Sequence, residues 1–133
     1  MAKTNVKYID RTIIYSHLYI GLCLSEEHYL AEMKRLKVDD PWPWPGDNTA
    51  TTIHYAQHDK VHECCIVCVN GVEKHHDTEV CGLLVHEAVH VWQKILDNIK
   101  ETCPGREIEA YGIQSIAQGL IEAYRKMTNT ENK

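Results

Sequence analysis

Val80-Cys81-Gly82-Leu83-Leu84-Val85-His86-Glu87-Ala88-Val89-His90-Val91-Trp92-Gln93-Lys94-Ile95-Leu96 reads as one helix carrying two histidines four residues apart. At about 3.6 residues per turn, His86 and His90 lie one above the other on the same face. Both imidazoles can hold one metal ion, and Glu87 sits beside them. Zinc lowers the pKa of a bound water to about 7, and a neighbouring carboxylate can take the proton as that water attacks a carbonyl.

The residues around the motif give it context. With His86 at 0°, Leu84, Ala88, Val91 and Ile95 gather near about 140–200° on an ideal helix, and Val85, Val89, Trp92 and Leu96 near about 240–300°. Two apolar stripes predict a buried helix in which His86, Glu87 and His90 are the main polar intrusions. Buried ionisable groups need partners, and a metal supplies one. His86-Glu87-Ala88-Val89-His90 thus matches the H-E-x-x-H signature of zinc peptidases.

A catalytic zinc usually takes three protein ligands and keeps one position open. The next helical segment, Arg106-Glu107-Ile108-Glu109-Ala110-Tyr111-Gly112-Ile113-Gln114, offers two carboxylates. Its expected apolar face, Ala110, Ile113, Ala117, Leu120 and Tyr124, is flanked by both Glu107 and Glu109, so geometry alone leaves them even. Glu107-Ile108-Glu109-Ala110-Tyr111 resembles the later glutamate motif of gluzincin-type metallopeptidases, E-x-x-A-D or E-x-x-A-N, with Tyr111 in place of the last residue. The resemblance implies Glu107 as third ligand. Tyr111, one turn on, is a candidate hydroxyl near the metal, although a core tyrosine explains it equally well.

The connection is short but sufficient. Sixteen residues separate His90 from Glu107. The stretch Asn98 to Pro104 spans up to about 23 Å when extended, and Cys103-Pro104-Gly105 breaks the helix. The first helix is therefore expected to stop before Lys100, and the second to start at Gly105 and pack back on it.

Composition fits a small single domain over residues 1–126, followed by a Thr-, Asn- and charge-rich tail, 127–133, expected to be disordered. The chain has 133 residues, a net charge of −5 and dispersed Lys and Arg, which disfavours nucleic acid as a partner. No run of eighteen apolar residues and no signal-peptide core is present, so membrane insertion is not expected and a cytoplasmic location is.

Six cysteines without an export signal are expected to be thiols. Cys64, Cys65 and Cys68, with His62, His75 and His76 nearby, are candidates for a second metal site. However, Val61 to Val69 alternates like a strand, which sends neighbouring cysteines to opposite faces. The core reading is preferred.

Lys7 to Tyr15, Leu18 to Leu24, Thr51 to Gln57 and Val61 to Val69 read as strands, the last two joined by His58-Asp59-Lys60. Ser25 caps a helix over Glu26 to Leu36, with acids in its first turn and bases near its last. Asp39 to Asp47 alternates Pro and Trp and reads as a stiff strap packed on the surface, with one lip of a substrate groove as the alternative. Asp77 or Thr78 is the expected cap of the histidine helix. Val61 to Val69, directly before it, is the expected edge strand for substrate.

Cys81 to Leu120 as a whole resembles small gluzincin-type proteins, and its wording is similar to uncharacterised proteins of tailed bacteriophages. The resemblance implies an α+β, zincin-like fold: a small antiparallel sheet against a metal helix and a second, glutamate-bearing helix. It implies a zinc-dependent metallopeptidase acting on a peptide or protein, in the host cytoplasm if phage-encoded. Two alternatives are a zinc-stabilised structural or morphogenesis protein without peptidase activity and a non-peptidic hydrolase. Glu87 argues against the first, since a structural site has no use for a base.

Overall fold

A computed structural model describes residues 6–9, 18–55 and 63–128. The chain runs β1 (Lys7–Tyr8), β2 (Tyr19–Cys23), α1 (Glu26–Arg35), β3 (Ala50–Tyr55), β4 (Cys64–Val69), a short 3-10 turn (Val72–Lys74), α2 (Asp77–Ile99) and α3 (Arg106–Thr128). Among the described residues the architecture is α+β, with one four-stranded sheet in the order β1-β2-β4-β3. The segments 10–17 and 56–62, which hold the rest of the expected first strand and the His58-Asp59-Lys60 link, lie outside the described residues, as do 129–133.

The sheet is mixed rather than antiparallel. β4 pairs antiparallel with β3 but parallel with β2, where Cys68 lies opposite Cys23. The reason is in Cys64-Cys65-Ile66-Val67-Cys68-Val69, buried at every position. A strand apolar on both faces belongs at the centre of a sheet covered on both sides. β4 therefore inserts between β2 and β3, while α1 and the proline strap carry the chain from one to the other. The outer strand is β3, not the Val61 to Val69 segment. Ser25 caps α1 as expected, its side chain accepting from the His28 amide at 3.2 Å.

Two cores flank the sheet. α1 covers one face with Tyr29 and Met33 against Cys23, Ile53, Cys64, Ile66 and Cys68. α2 and α3 cover the other, where Leu84, Ala88, Val91, Trp92 and Ile95 meet Leu22, Cys65, Val67, Ile116 and Leu120. The cysteines are core residues distributed by strand alternation. Burial pushes the thiols of Cys23 and Cys64 up to about 11 and that of Cys65 to about 12, so they stay protonated at neutral pH.

α2 starts one residue earlier than expected, with His76 as its cap; the His76 amide donates to Glu79 Oε1 at 3.1 Å. It ends at Ile99, and Lys100 adopts left-handed backbone at φ 60°. α2 is not buried all round: Val85, His86 and His90 are exposed, because the sheet and α3 cover only two of its sides. α3 runs to Thr128, past the expected domain end at 126. Among the described residues no helix is long and apolar enough to cross a membrane.

α3 buries most of its expected face, Ala117, Leu120 and Tyr124 with Ile113 packed beside them, but the buried stripe is rotated toward Gly112, Ile116 and Ala123. Its buried positions are Gly112, Ile116, Ala117, Leu120, Ala123 and Tyr124, whereas Ala110 is exposed. Trp92 sets this rotation. A Cβ on Gly112 would come within 2.3 Å of Trp92 Cζ3, so only glycine lets the indole lie against α3. The indole N–H donates to Glu109 Oε2 at 3.0 Å.

Candidate functional site

Glu87 is the buried member of the motif. It is only 4% exposed, while the histidines on either side of it face outward. Being 100° from His86 on the helix, it turns toward β3. There Thr52 Oγ1 donates to Glu87 Oε1 at 2.8 Å. The other oxygen, Oε2, lies 3.9 Å from His86 Nε2. One carboxylate oxygen is thus fixed by the outer strand and the other opens toward the imidazole.

The two imidazoles stand together. Their ring centroids are 5.0 Å apart, edge to face at 71°. His90 Nδ1 shares a hydrogen bond with Gln93 Oε1 at 3.0 Å, which orients the ring and leaves Nε2 for another partner. A hollow of about 380 Å³ lies over this group, lined by His86, Glu87, His90, Gln93, Lys94 and the β3 residues Ala50 to Thr52. Comparison with family models, curated proteins and solved structures found no match.

The remaining expected site residues are not brought here. Tyr111 is 54% exposed and does not line the hollow. Glu107 is exposed and lies about half a turn round α3 from Ile116, on the side away from the core. The antiparallel register, set by Trp92 with Glu109 and by Arg125 with Asp77, also places Glu107 level with the helix beyond Trp92. Glu109 faces α2 but is held by the indole. Among the described residues, no three His, Cys, Asp or Glu side chains gather closely enough to hold a metal ion. The histidine pair has the spacing of two metal ligands and one oriented ring, but among the described residues no third protein ligand stands beside it.

Sequence reasoning missed Thr52. Only the sheet order, which makes β3 the strand beside α2, identifies it. Its one signal in the sequence is alternation: Ala50, Thr52 and His54 share a face. Two positions along from Thr52, His54 Nε2 shares a hydrogen bond with Glu63 Oε2 at 2.6 Å, and Asn98 Nδ2 donates to Glu63 Oε1 at 2.9 Å. This tie joins β3, the residue before β4 and α2 just beyond the hollow.

Proposed function

We propose that the chain is a zinc-dependent hydrolase of peptide bonds, zincin-like in arrangement, centred on His86, Glu87 and His90. The observation that carries this reading is the placement of Glu87: a buried carboxylate with one oxygen on Thr52 and the other, among the described residues, without a hydrogen bond beside His86. His86 and His90 would hold the metal, which when bound supplies Lewis acidity to polarise a carbonyl and acidify water. Glu87 Oε2 takes the proton of the attacking water, while Thr52 keeps the carboxylate aimed. Burial behind β3 keeps that carboxylate away from bulk solvent. β3, as outer strand, offers backbone groups to an extended substrate next to the histidines.

A purely structural zinc clamp between α2 and α3 is the weaker reading. A clamp needs donors on both helices, and α3 turns Glu107 away and occupies Glu109 with Trp92. Elemental analysis of the purified chain tests the metal. About one zinc per chain is expected, lost in the His86→Ala, His90→Ala double variant; full retention there overturns the assignment. Cleavage of a broad peptide library by wild type, absent in Glu87→Gln, is the expected activity.

A further inference from the structure

We propose that the open edge of β3 is a recognition groove for an extended peptide segment bearing an acidic side chain, received by Lys94. The inference rests on the hydrolase reading above and adds the class of substrate. The Asn70 amide donates to the Thr49 carbonyl at 2.9 Å. In an antiparallel ladder this fixes the alternation, so that Ala50, Thr52 and His54 turn their backbone N–H and C=O groups to the outer edge. Among the described residues no strand pairs with that edge.

A second hollow, about 650 Å³, runs along the same strand between the proline strap and Lys94. It shares Ala50, Thr51, Thr52 and Lys94 with the hollow over the histidines, so the two adjoin. The strap is a fixed wall. The Trp42 amide donates to Tyr55 Oη at 2.9 Å, its carbonyl accepts from Tyr29 Oη at 2.7 Å, and Asn70 Nδ2 donates to the Pro45 carbonyl at 2.9 Å. A pre-formed wall spares a ligand the ordering cost of closing a loop. Trp42, 64% exposed, lines the groove.

Charge selects the occupant. The chain carries 19 acidic against 14 basic residues, yet Lys94 has no ion-pair partner among the described residues. Among the described residues on this side of β3, Glu63 is engaged by His54 and Asn98, and Glu87 meets Thr52 with one oxygen and faces His86 with the other. A strand added to β3 sends alternate side chains toward α2 and toward the strap. The first set reaches Lys94, and an Asp or Glu there completes an ion pair. The second set lies against Trp42.

The test uses the full chain carrying Glu87→Gln, which stops turnover, and blocked seven-residue Val/Thr peptides with Glu, Gln or Lys at the central positions. Calorimetric titration is expected to rank Glu over Gln by about fivefold to tenfold, with Lys weakest, as a partly desolvated charge pair provides. Adding Lys94→Glu should invert the order, and adding Lys94→Gln should erase it, with circular dichroism confirming the fold of each. An unchanged order in both variants, or no binding of any peptide by the folded protein, overturns the proposal. Cleavage indifferent to acidic residues would also overturn it while leaving the hydrolase reading intact. Lys94-dependent binding without Glu87-dependent cleavage would support the groove and remove the hydrolase reading alone.

Discussion

Glu32 and Glu87 are both buried, 1% and 4% exposed, yet the two sides of the sheet treat them differently. On the α1 side, Glu32 Oε1 accepts from Arg35 Nε at 2.7 Å, and Oε2 accepts from Tyr8 Oη at 2.7 Å and from Arg35 Nη2. On the α2 side, Glu87 accepts one side-chain hydrogen bond among the described residues, from Thr52, and turns its other oxygen to a histidine in an open hollow. A carboxylate surrounded by donors fastens elements together. One left half-matched at the floor of a hollow costs stability and is available for chemistry.

A large effect on stability is expected at the matched glutamate. Glu32→Ala should destabilise by about 1–3 kcal/mol, measured by urea unfolding. The figure stays below the full cost of orphaning a buried ion because Arg35 is largely exposed and regains water. If Glu32→Ala proves neutral, the contrast between the two carboxylates collapses. Next comes Gly112→Ala, which drives a methyl into Trp92 and should cost about 1–3 kcal/mol through overpacking.

The α1 side also predicts alkaline lability. Burial raises the thiols of Cys23 and Cys64 to about 11, and burial and Glu32 push the Tyr8 phenol up as well. These groups are held neutral by the fold, so their contribution is complete below the ordinary thiol pKa of 9.0 and is lost as pH rises toward about 11. Urea midpoints should fall between pH 9 and 11; a flat profile would contradict the burial of these thiols.

Much of this was legible in the sequence. Ser25 and its acidic first turn gave α1, Lys100 marked the end of α2, and His86, Glu87 and His90 share one helix as their spacing required. Periodicity tells which residues share a face but not what covers that face. For that reason the parallel pairing of β2 with β4 was hidden, and with it the position of β3 beside Glu87. The face of α3 was legible for most of its length, since Ala117, Leu120 and Tyr124 are buried and Ile113 packs against the core, but not at Ala110. Ala110 fits an apolar stripe by type, but Trp92 needs a residue without a side chain opposite it, and Gly112 supplies that. The resulting rotation turns Glu109 inward and Glu107 out.

That rotation gives a sharper test of the α2 side. With α3 seated by Trp92, Glu107→Ala should leave zinc affinity within about twofold, whereas His90→Ala should reduce it strongly, since the ion then keeps one protein ligand. Competition with a chromogenic chelator reads both. Strong loss in Glu107→Ala would mean that the first turn of α3 rotates toward the histidines when metal binds. Smaller still is Glu87→Gln, expected to change stability by less than about 0.5 kcal/mol because the amide keeps the Thr52 contact and sheds a half-matched buried charge.

The most direct measurement compares peptide cleavage by wild type and Glu87→Gln at equal zinc content and equal urea midpoint. Loss of a general base predicts a fall of roughly 10²–10⁴-fold in rate with the fold intact. Equal rates in the two proteins, or no zinc-dependent cleavage by wild type of any library peptide, would contradict the assignment of Glu87 as the base.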